Sequence, residues 1–354
     1  MSRFMGARYS LFDAYTPGEQ PQDRQYIKLN TNESPYPPSP KVRQALDAGE
    51  IEDQRLYPDP ECTALRAKLA QVYDLQPDQL LCGNGSDELL SFAFMAWGSR
   101  GAAFADVSYG LYRVLADLHQ VKAHIVPLRE GFVLDDRDYL GLNRLIVIAN
   151  PNAPTGLALK PRQLALIAEQ NPDGVVLVDE AYVDFGAESC LPLVGRYDNL
   201  CVVQTFSKSR SLAGARLGFA AGPAELMRDL KKIKNAINPY NVSRLTQRGG
   251  IASLEDADYF LLNTRAIMQT RENTARSLTA MGFEVLPSRT NFLFARHPGI
   301  GGAALYMALK KRGVLVRHFG AERTKDYVRI TVGSQEQMAA LLDGVRAIMG
   351  GIRA

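Results

Sequence analysis

The feature that most constrains this chain is a set of short, wholly apolar runs separated by helical segments: Ala102 to Ala105, Leu145 to Ala149, Val175 to Val178 and Leu200 to Val203. Their length and lack of polar alternation suit strands buried on both faces. Alternation with helices predicts an α/β layer around a mostly parallel central sheet. Three of the runs end in polar clusters: Asn150 to Gly156 (N-P-N-A-P-T-G), Asp179 to Tyr182 (D-E-A-Y) and Thr205 to Ser209 (T-F-S-K-S). Open parallel sheets collect their ligands at the carboxyl ends of the strands, so the three clusters are expected to converge.

The rest of the chain arranges itself around this layer. With 354 residues, about two domains are expected. Residues 1–38 carry five prolines and little periodicity, and read as an extended arm that packs on another part of the chain. Ser39-Pro40 suits a cap and first helical residue, and Leu65, Leu69 and Val72 form a helical apolar stripe within 61–73. The large domain is placed at 39–240. A helical stretch over 243–281 leads into apolar segments at 291–295, 314–317 and 327–332, which predict a smaller α+β domain over 241–354.

Composition removes several function classes. Forty-one basic against thirty-eight acidic residues leave a formal charge of +3, too even for a nucleic-acid surface or a membrane anchor. No apolar run approaches the ~20 residues of a membrane span. The amino terminus is interrupted by Arg3, Arg8 and Asp13, without the apolar stretch of a secretion signal, so the expected compartment is the cytoplasm. Cys62, Cys82, Cys190 and Cys201 are widely spaced, with no zinc-ligand pattern; no metal is expected, and the cysteines read as reduced, mostly buried thiols. His119, His124, His297 and His318 fit no catalytic motif and read as surface or packing residues, and Lys231 to Lys234 as a solvated helix face.

Taken singly, each polar cluster has more than one reading. Cys82 to Glu88 (C-G-N-G-S-D-E) opens a helix running to Trp97, which suits either an ordinary cap or a phosphate cradle. Asp179, at the end of a buried run, is either a structural ion-pair partner or the carboxylate that holds a proton on a ligand nitrogen. Lys208, among hydroxyl residues and followed by Arg216, is either a surface lysine, a phosphate contact or a covalent amine.

Together, N-P-N-A-P-T-G, D-E-A-Y and S-K-x-x-x-L-A-G-x-R-x-G, followed by Arg329 in V-R-I-T, resemble the fold type I pyridoxal-phosphate aminotransferases in order and spacing. The resemblance runs from the arm to the last strand. Y-T-P-G at 15–18, K-L-N-T-N-E-S-P-Y at 28–36, L-Y-P-D-P at 56–60 and G-N-G-S-D-E at 83–88 are similar to the branch of that family acting on histidinol phosphate in histidine biosynthesis. Threonine-phosphate decarboxylases and other relatives share parts of these motifs, and an aminotransferase of aromatic or small amino acids, for which Arg329 alone would suffice, is a further alternative.

The resemblance implies roles. Lys208 would hold pyridoxal 5'-phosphate covalently and then act as general acid and base, Asp179 would keep the pyridine nitrogen protonated, and Tyr182 would donate to the phenolate oxygen. Ser86, Asp87, Thr205, Ser207 and Arg216 would hold the cofactor phosphate, and Tyr109 would stack on the ring. The family usually has Asn directly before P-T-G, where this chain has Ala153, so Asn152 is the expected substitute and Asn150 the second choice. Tyr57 would reach the phosphate of a neighbouring subunit, which implies a homodimer with shared sites. Arg317 and Arg329 would clamp the substrate phosphate with Tyr15 closing over it and Asn291 bridging to the same region. The implied reaction passes the amino group between histidinol phosphate and 2-oxoglutarate.

Overall fold

The computed structural model describes residues 2–10, 13–46 and 48–353. The expected arm and carboxyl-terminal domain therefore include positions 1, 11, 12 and 354, which lie outside the described residues. In chain order the strands are β1 (Ile27–Lys28), β2 (Leu80–Asn84), β3 (Ala102–Ala105), β4 (Ala123–Val126), β5 (Leu145–Ala149), β6 (Val176–Asp179), β7 (Leu200–Thr205) and β8 (Leu217–Ala221). They continue with β9 (Glu284–Val285), β10 (Phe292–Arg296), β11 (Val314–Leu315), β12 (Arg317–His318) and β13 (Tyr327–Thr331).

A seven-stranded sheet runs in the order β2-β8-β7-β6-β5-β3-β4. Pairing is parallel from β7 through β4, and β8 runs antiparallel to both of its neighbours. Successive residues point to opposite faces. Ile146, Ile148, Val176, Val178, Leu200 and Val202 enter one core layer, while Leu145, Val147, Leu177, Cys201 and Val203 enter the other. Each parallel strand thus needs apolar side chains at every position, which is why the runs show no alternation.

A second sheet, ordered β12-β13-β10-β9, is antiparallel throughout and packs on its own apolar cluster. The arm joins this part of the molecule: β1 pairs in parallel with β11, and Leu29 is buried in the same cluster. The run 314–317 therefore splits between two sheets, at β11 and β12.

Local rules account for most helix boundaries. Ser39 caps the helix Pro40–Ala45 by accepting from the Lys41 N–H. The helix Thr63–Tyr73 buries Leu65 and Leu69, but Val72 lies on its open side, 42% exposed. The single helical stretch expected over 243–281 is two helices, Arg244–Leu254 and Ala257–Ala280. Asp256 breaks it: its backbone leaves helical geometry and its carboxylate accepts from the Ser39 hydroxyl. Lys234 also departs from expectation. It is only 2% exposed, and its ammonium donates to the carbonyls of Pro60 (2.6 Å) and Pro239 (3.2 Å), so one member of the lysine run faces inward. All four cysteines are free and buried. Among the described residues, no helix is long and apolar enough to cross a membrane.

Candidate active site

The site lies where one edge of the seven-stranded sheet gathers strand ends. β2, β5, β6 and β7 finish there at Asn84, Ala149, Asp179 and Thr205, and antiparallel β8 starts there, directly after Arg216. The direction of β8 is what returns Arg216 to the residues that leave β7.

The helix Ser86–Trp97 begins at Gly85, whose φ of 77° lies in the left-handed region and which offers no side chain to cap the first N–H groups. Gly218 faces this turn: a Cβ there would lie 2.6 Å from the Ser86 nitrogen and 2.8 Å from the Gly85 carbonyl carbon. Glycine is thus required for strand β8 to pass close to the helix start. Arg216 Nη2 is 3.2 Å from Asp87 Oδ2, and its Nη1 is 3.5 Å from Ser207 Oγ. Thr205 Oγ1 donates to Ser207 Oγ at 2.9 Å. Ser86, Asp87, Thr205, Ser207 and Arg216 therefore surround one helix start with N–H groups, hydroxyls and a guanidinium, a donor set that suits an anion.

Asp179 is buried in the sheet and accepts from Tyr112 Oη (2.7 Å) and the Ala181 N–H (3.1 Å). Burial pushes its carboxyl up to about 6 against those two hydrogen bonds. Its neighbour Glu180 points elsewhere, accepting from Cys190 N, Ser189 Oγ and Gln204 Nε2, and burial pushes it up to about 7. Lys208 donates from Nζ to the Thr31 carbonyl at 3.1 Å. Burial foremost, and then Arg329, hold its ammonium down at about 8.

Tyr109 donates to Asp87 Oδ1 at 3.0 Å and meets the Tyr15 ring edge-on, with centroids 5.8 Å apart. Burial raises the Tyr15 phenol against the pull of Arg329 and Arg317. Arg329 Nη2 donates to the Asn30 carbonyl at 3.0 Å, while its buried Nε has no partner. Arg317 donates to the carbonyls of Pro17 (3.2 Å) and Thr16 (3.3 Å). Asn291 Nδ2 donates to the Asn32 carbonyl at 2.9 Å, and its buried Oδ1 is likewise unpartnered.

Three candidate residues stand apart. The Asn152 carboxamide is fully engaged: Nδ2 donates to Val107 O (2.9 Å) and Thr155 Oγ1 (3.0 Å), and Oδ1 accepts from Ser108 Oγ (2.8 Å). Asn150, similarly, exchanges hydrogen bonds with the Leu159 backbone. Tyr57 is 79% exposed and stacks on Tyr240 at 4.5 Å, on the surface of this chain. Sequence reasoning did not single out Thr31, Asn32 and Glu33 one by one, although their motif was visible. They wall the site: Glu33 accepts from Lys28 and Thr31, and Asn32 Nδ2 donates to Tyr182 Oη at 2.9 Å.

A lysine of lowered basicity, a buried strand-end carboxylate and an anion cradle on this sheet belong to a pyridoxal-phosphate-dependent transferase of fold type I. The sequence profile described as aminotransferase class I and II matches residues 24–345, and the chain belongs to that family. It is 47% identical, over 98% of its length and 100% of the relative's, to the histidinol-phosphate aminotransferase of Marinomonas sp.. It is 45% identical to that of Brachyspira hyodysenteriae, over 99% of both chains. Among solved structures, the histidinol-phosphate aminotransferase of Sinorhizobium meliloti in complex with pyridoxal-5'-phosphate shares the fold, with a TM-score of 0.89, 23% identity and 99% of each chain covered. The protein is therefore a transaminating enzyme that works on small molecules.

Proposed function

We propose that this enzyme transfers the amino group of L-histidinol phosphate to 2-oxoglutarate, with pyridoxal 5'-phosphate held at the strand-end site. The observation that carries the substrate is the pair Arg317 and Arg329, paired in register on neighbouring strands and both pulling down on the Tyr15 phenol. A phosphate dianion calls for two cations where a carboxylate needs one. The unpartnered Nε of Arg329 is a buried donor that an anion would satisfy. Support also comes from the names of relatives 42–47% identical over nearly the whole chain.

The residues present fit the cofactor. A buried carboxylate such as Asp179 needs a cationic partner to remain ionised, and a protonated pyridine nitrogen is one. When bound, the cofactor supplies an electron sink for the pair left at the substrate Cα. Lys208 would take the proton from the substrate Cα and deliver it to the carbon on the other side of the transferred nitrogen, which its lowered basicity allows near neutral pH. Tyr182 donates from its hydroxyl to the phenolate oxygen, and Tyr109 covers the ring. Ser86, Asp87, Thr205, Ser207 and Arg216 hold the phosphate. Asn152 contributes by fixing Val107 and Ser108, directly before Tyr109. Asn291 bridges the arm to the substrate pocket.

In this reading the chain divides into an arm (1–38), a large cofactor-binding domain (39–240) and a small domain (241–354). It works as a homodimer in which exposed Tyr57 reaches the partner's cofactor phosphate. A cytoplasmic setting agrees with four free, buried cysteines.

The test is the absorption spectrum of cofactor-loaded protein, recorded on adding histidinol phosphate without an oxo acid and again after adding 2-oxoglutarate. Loss of the visible band and its return support both halves of the reaction. A band unmoved by histidinol phosphate overturns the substrate, and threonine phosphate with detection of carbon dioxide is then the next trial. No return with 2-oxoglutarate overturns the acceptor alone.

A further inference from the structure

Asn32 lies in the arm, far in sequence from every strand-end motif, yet all of its polar atoms are committed at the site. Its backbone N–H donates to Thr331 Oγ1 at 3.0 Å, and Thr331 Oγ1 returns its proton to Asn32 Oδ1 at 3.1 Å. Its carbonyl accepts from Asn291 Nδ2 at 2.9 Å. Its φ of 57° lies in the left-handed region, where Asn and Gly are the residues most readily accommodated. The side chain is buried.

The carboxamide places its oxygen against the Thr331 hydroxyl, which donates to it at 3.1 Å while accepting from the Asn32 N–H. The amide nitrogen then faces Tyr182 and donates to its hydroxyl oxygen at 2.9 Å. Tyr182 can only be an acceptor in that contact, so its own proton is free to point elsewhere.

We propose that Asn32 is a positioning residue for the reaction: by donating to the Tyr182 oxygen it directs and strengthens the proton that Tyr182 offers to the cofactor phenolate. The inference rests on the reading that Tyr182 donates to that oxygen. The amide donation polarises the phenol O–H and makes it a better donor, as in any hydrogen-bonded chain.

The experiment compares Asn32→Asp, Asn32→Gly and Tyr182→Phe as cofactor-loaded holoenzymes. Each is titrated between about pH 5 and pH 10 for the midpoint at which the visible cofactor band changes form. Asn32→Asp keeps the shape but can only accept, drawing the tyrosine proton to itself. Asn32→Gly removes the side chain and tolerates the left-handed backbone, so it serves if the first variant does not fold. Asn32→Gly is expected to raise the midpoint by roughly 0.2–0.5 pH unit, a fraction of the hydrogen bond it strengthens, and Asn32→Asp by more because it adds a charge. In a Tyr182→Phe background Asn32→Gly should leave the midpoint unmoved, and Asn32→Asp should retain only the direct effect of its added charge. A midpoint shifted by Tyr182→Phe but by neither Asn32 variant overturns this inference alone. The same holds if the Asn32 shift persists at full size without the Tyr182 hydroxyl. A midpoint insensitive to Tyr182→Phe overturns the role of Tyr182 and this inference with it.

Discussion

Lys208 Nζ donates to the backbone carbonyl of Thr31, 3.1 Å away and 177 positions earlier in the chain. The amine that leaves β7 is thus held by a peptide group of the arm, within a pocket that holds its basicity down to about 8. A carbonyl can anchor either protonation state of the donor without adding a charge. The lysine therefore keeps its place while its proton moves, which a carboxylate partner would oppose by fixing the charged form.

In the proposed clamp the two arginines would divide the work of anion binding and arm placement. Arg329→Ala removes a buried guanidinium with an unpartnered Nε and is expected to raise KM for the phosphate substrate roughly 10- to 150-fold, the scale of one charge-assisted hydrogen bond. Arg317→Ala should raise KM as well, and should also speed proteolysis of the arm, because Arg317 holds the carbonyls of Thr16 and Pro17. Steady-state kinetics and limited trypsin digestion separate the two. An Arg329→Ala enzyme with unchanged KM would remove the clamp from the mechanism.

If exposed Tyr57 completes the partner's site, two inactive variants should rescue each other. Tyr57→Ala and Lys208→Ala subunits, unfolded and refolded together, would give a mixed dimer with one site carrying both native residues. Transaminase activity above that of either parent is the expected result. A mixture no more active than its components, despite mixed dimers visible by native mass spectrometry, counts against the shared site.

Gly218→Ala should damage the proposed cofactor cradle from behind. Its Cβ would press on the backbone at Ser86 and Gly85, which cannot yield as a flexible side chain would. A loss of about 1–3 kcal/mol in stability is expected, together with a weaker cofactor complex measured by equilibrium dialysis. Wild-type cofactor affinity in this variant would show that the helix start does not contact the phosphate.

Lys234→Met should cost about 2–4 kcal/mol in denaturant unfolding, because the carbonyls of Pro60 and Pro239 lose an ammonium donor inside the protein. The loss should appear in stability and leave KM unchanged. A neutral effect would mean that burying the ammonium cancels what its two hydrogen bonds contribute.

In cofactor-free protein, Asp179 has a folded-state value of about 6 against an ordinary 3.8. Between those values the native state binds more protons than the unfolded state, so stability falls as pH rises from about 4 to 6. The loss attached to this group is on the order of 3 kcal/mol. Glu180, pushed up to about 7, acts in the same direction at higher pH. Urea unfolding of the cofactor-free protein across this range should give a shallower slope for Asp179→Asn, and bound cofactor should flatten the wild-type slope if its nitrogen neutralises Asp179.

Much of this architecture was legible in the chain itself. A strand buried on both faces must be apolar at each position, so β3, β5, β6 and β7 stand out as runs, and the polar residues at their ends mark the site. The loop before Ser86–Trp97 and the cap at Ser39 follow local rules that need no distant partner. Short-range chemistry of this kind survives in sequence. Strands β2 and β8 were harder to see, because glycines at 83 and 218 and a polar Asn84 interrupt their apolar pattern, and the close packing that demands those glycines is a tertiary fact.

What only the folded chain decided are relationships between residues far apart in sequence. Helical periodicity puts Lys234 in a lysine run, but two carbonyls supplied by other segments turn it inward. An uninterrupted helix was expected until Ser39 met Asp256, 217 positions away. Asn32 sits in a visible motif, yet its hold on Tyr182 depends on Thr331 fixing the amide across 299 positions. Residue type and spacing determine which groups can bind, donate or lose a proton. Which of them face one another, with what basicity and in which hydrogen-bond direction, is set by burial and long-range contact, and those exist only once the sheet edge and the arm have come together.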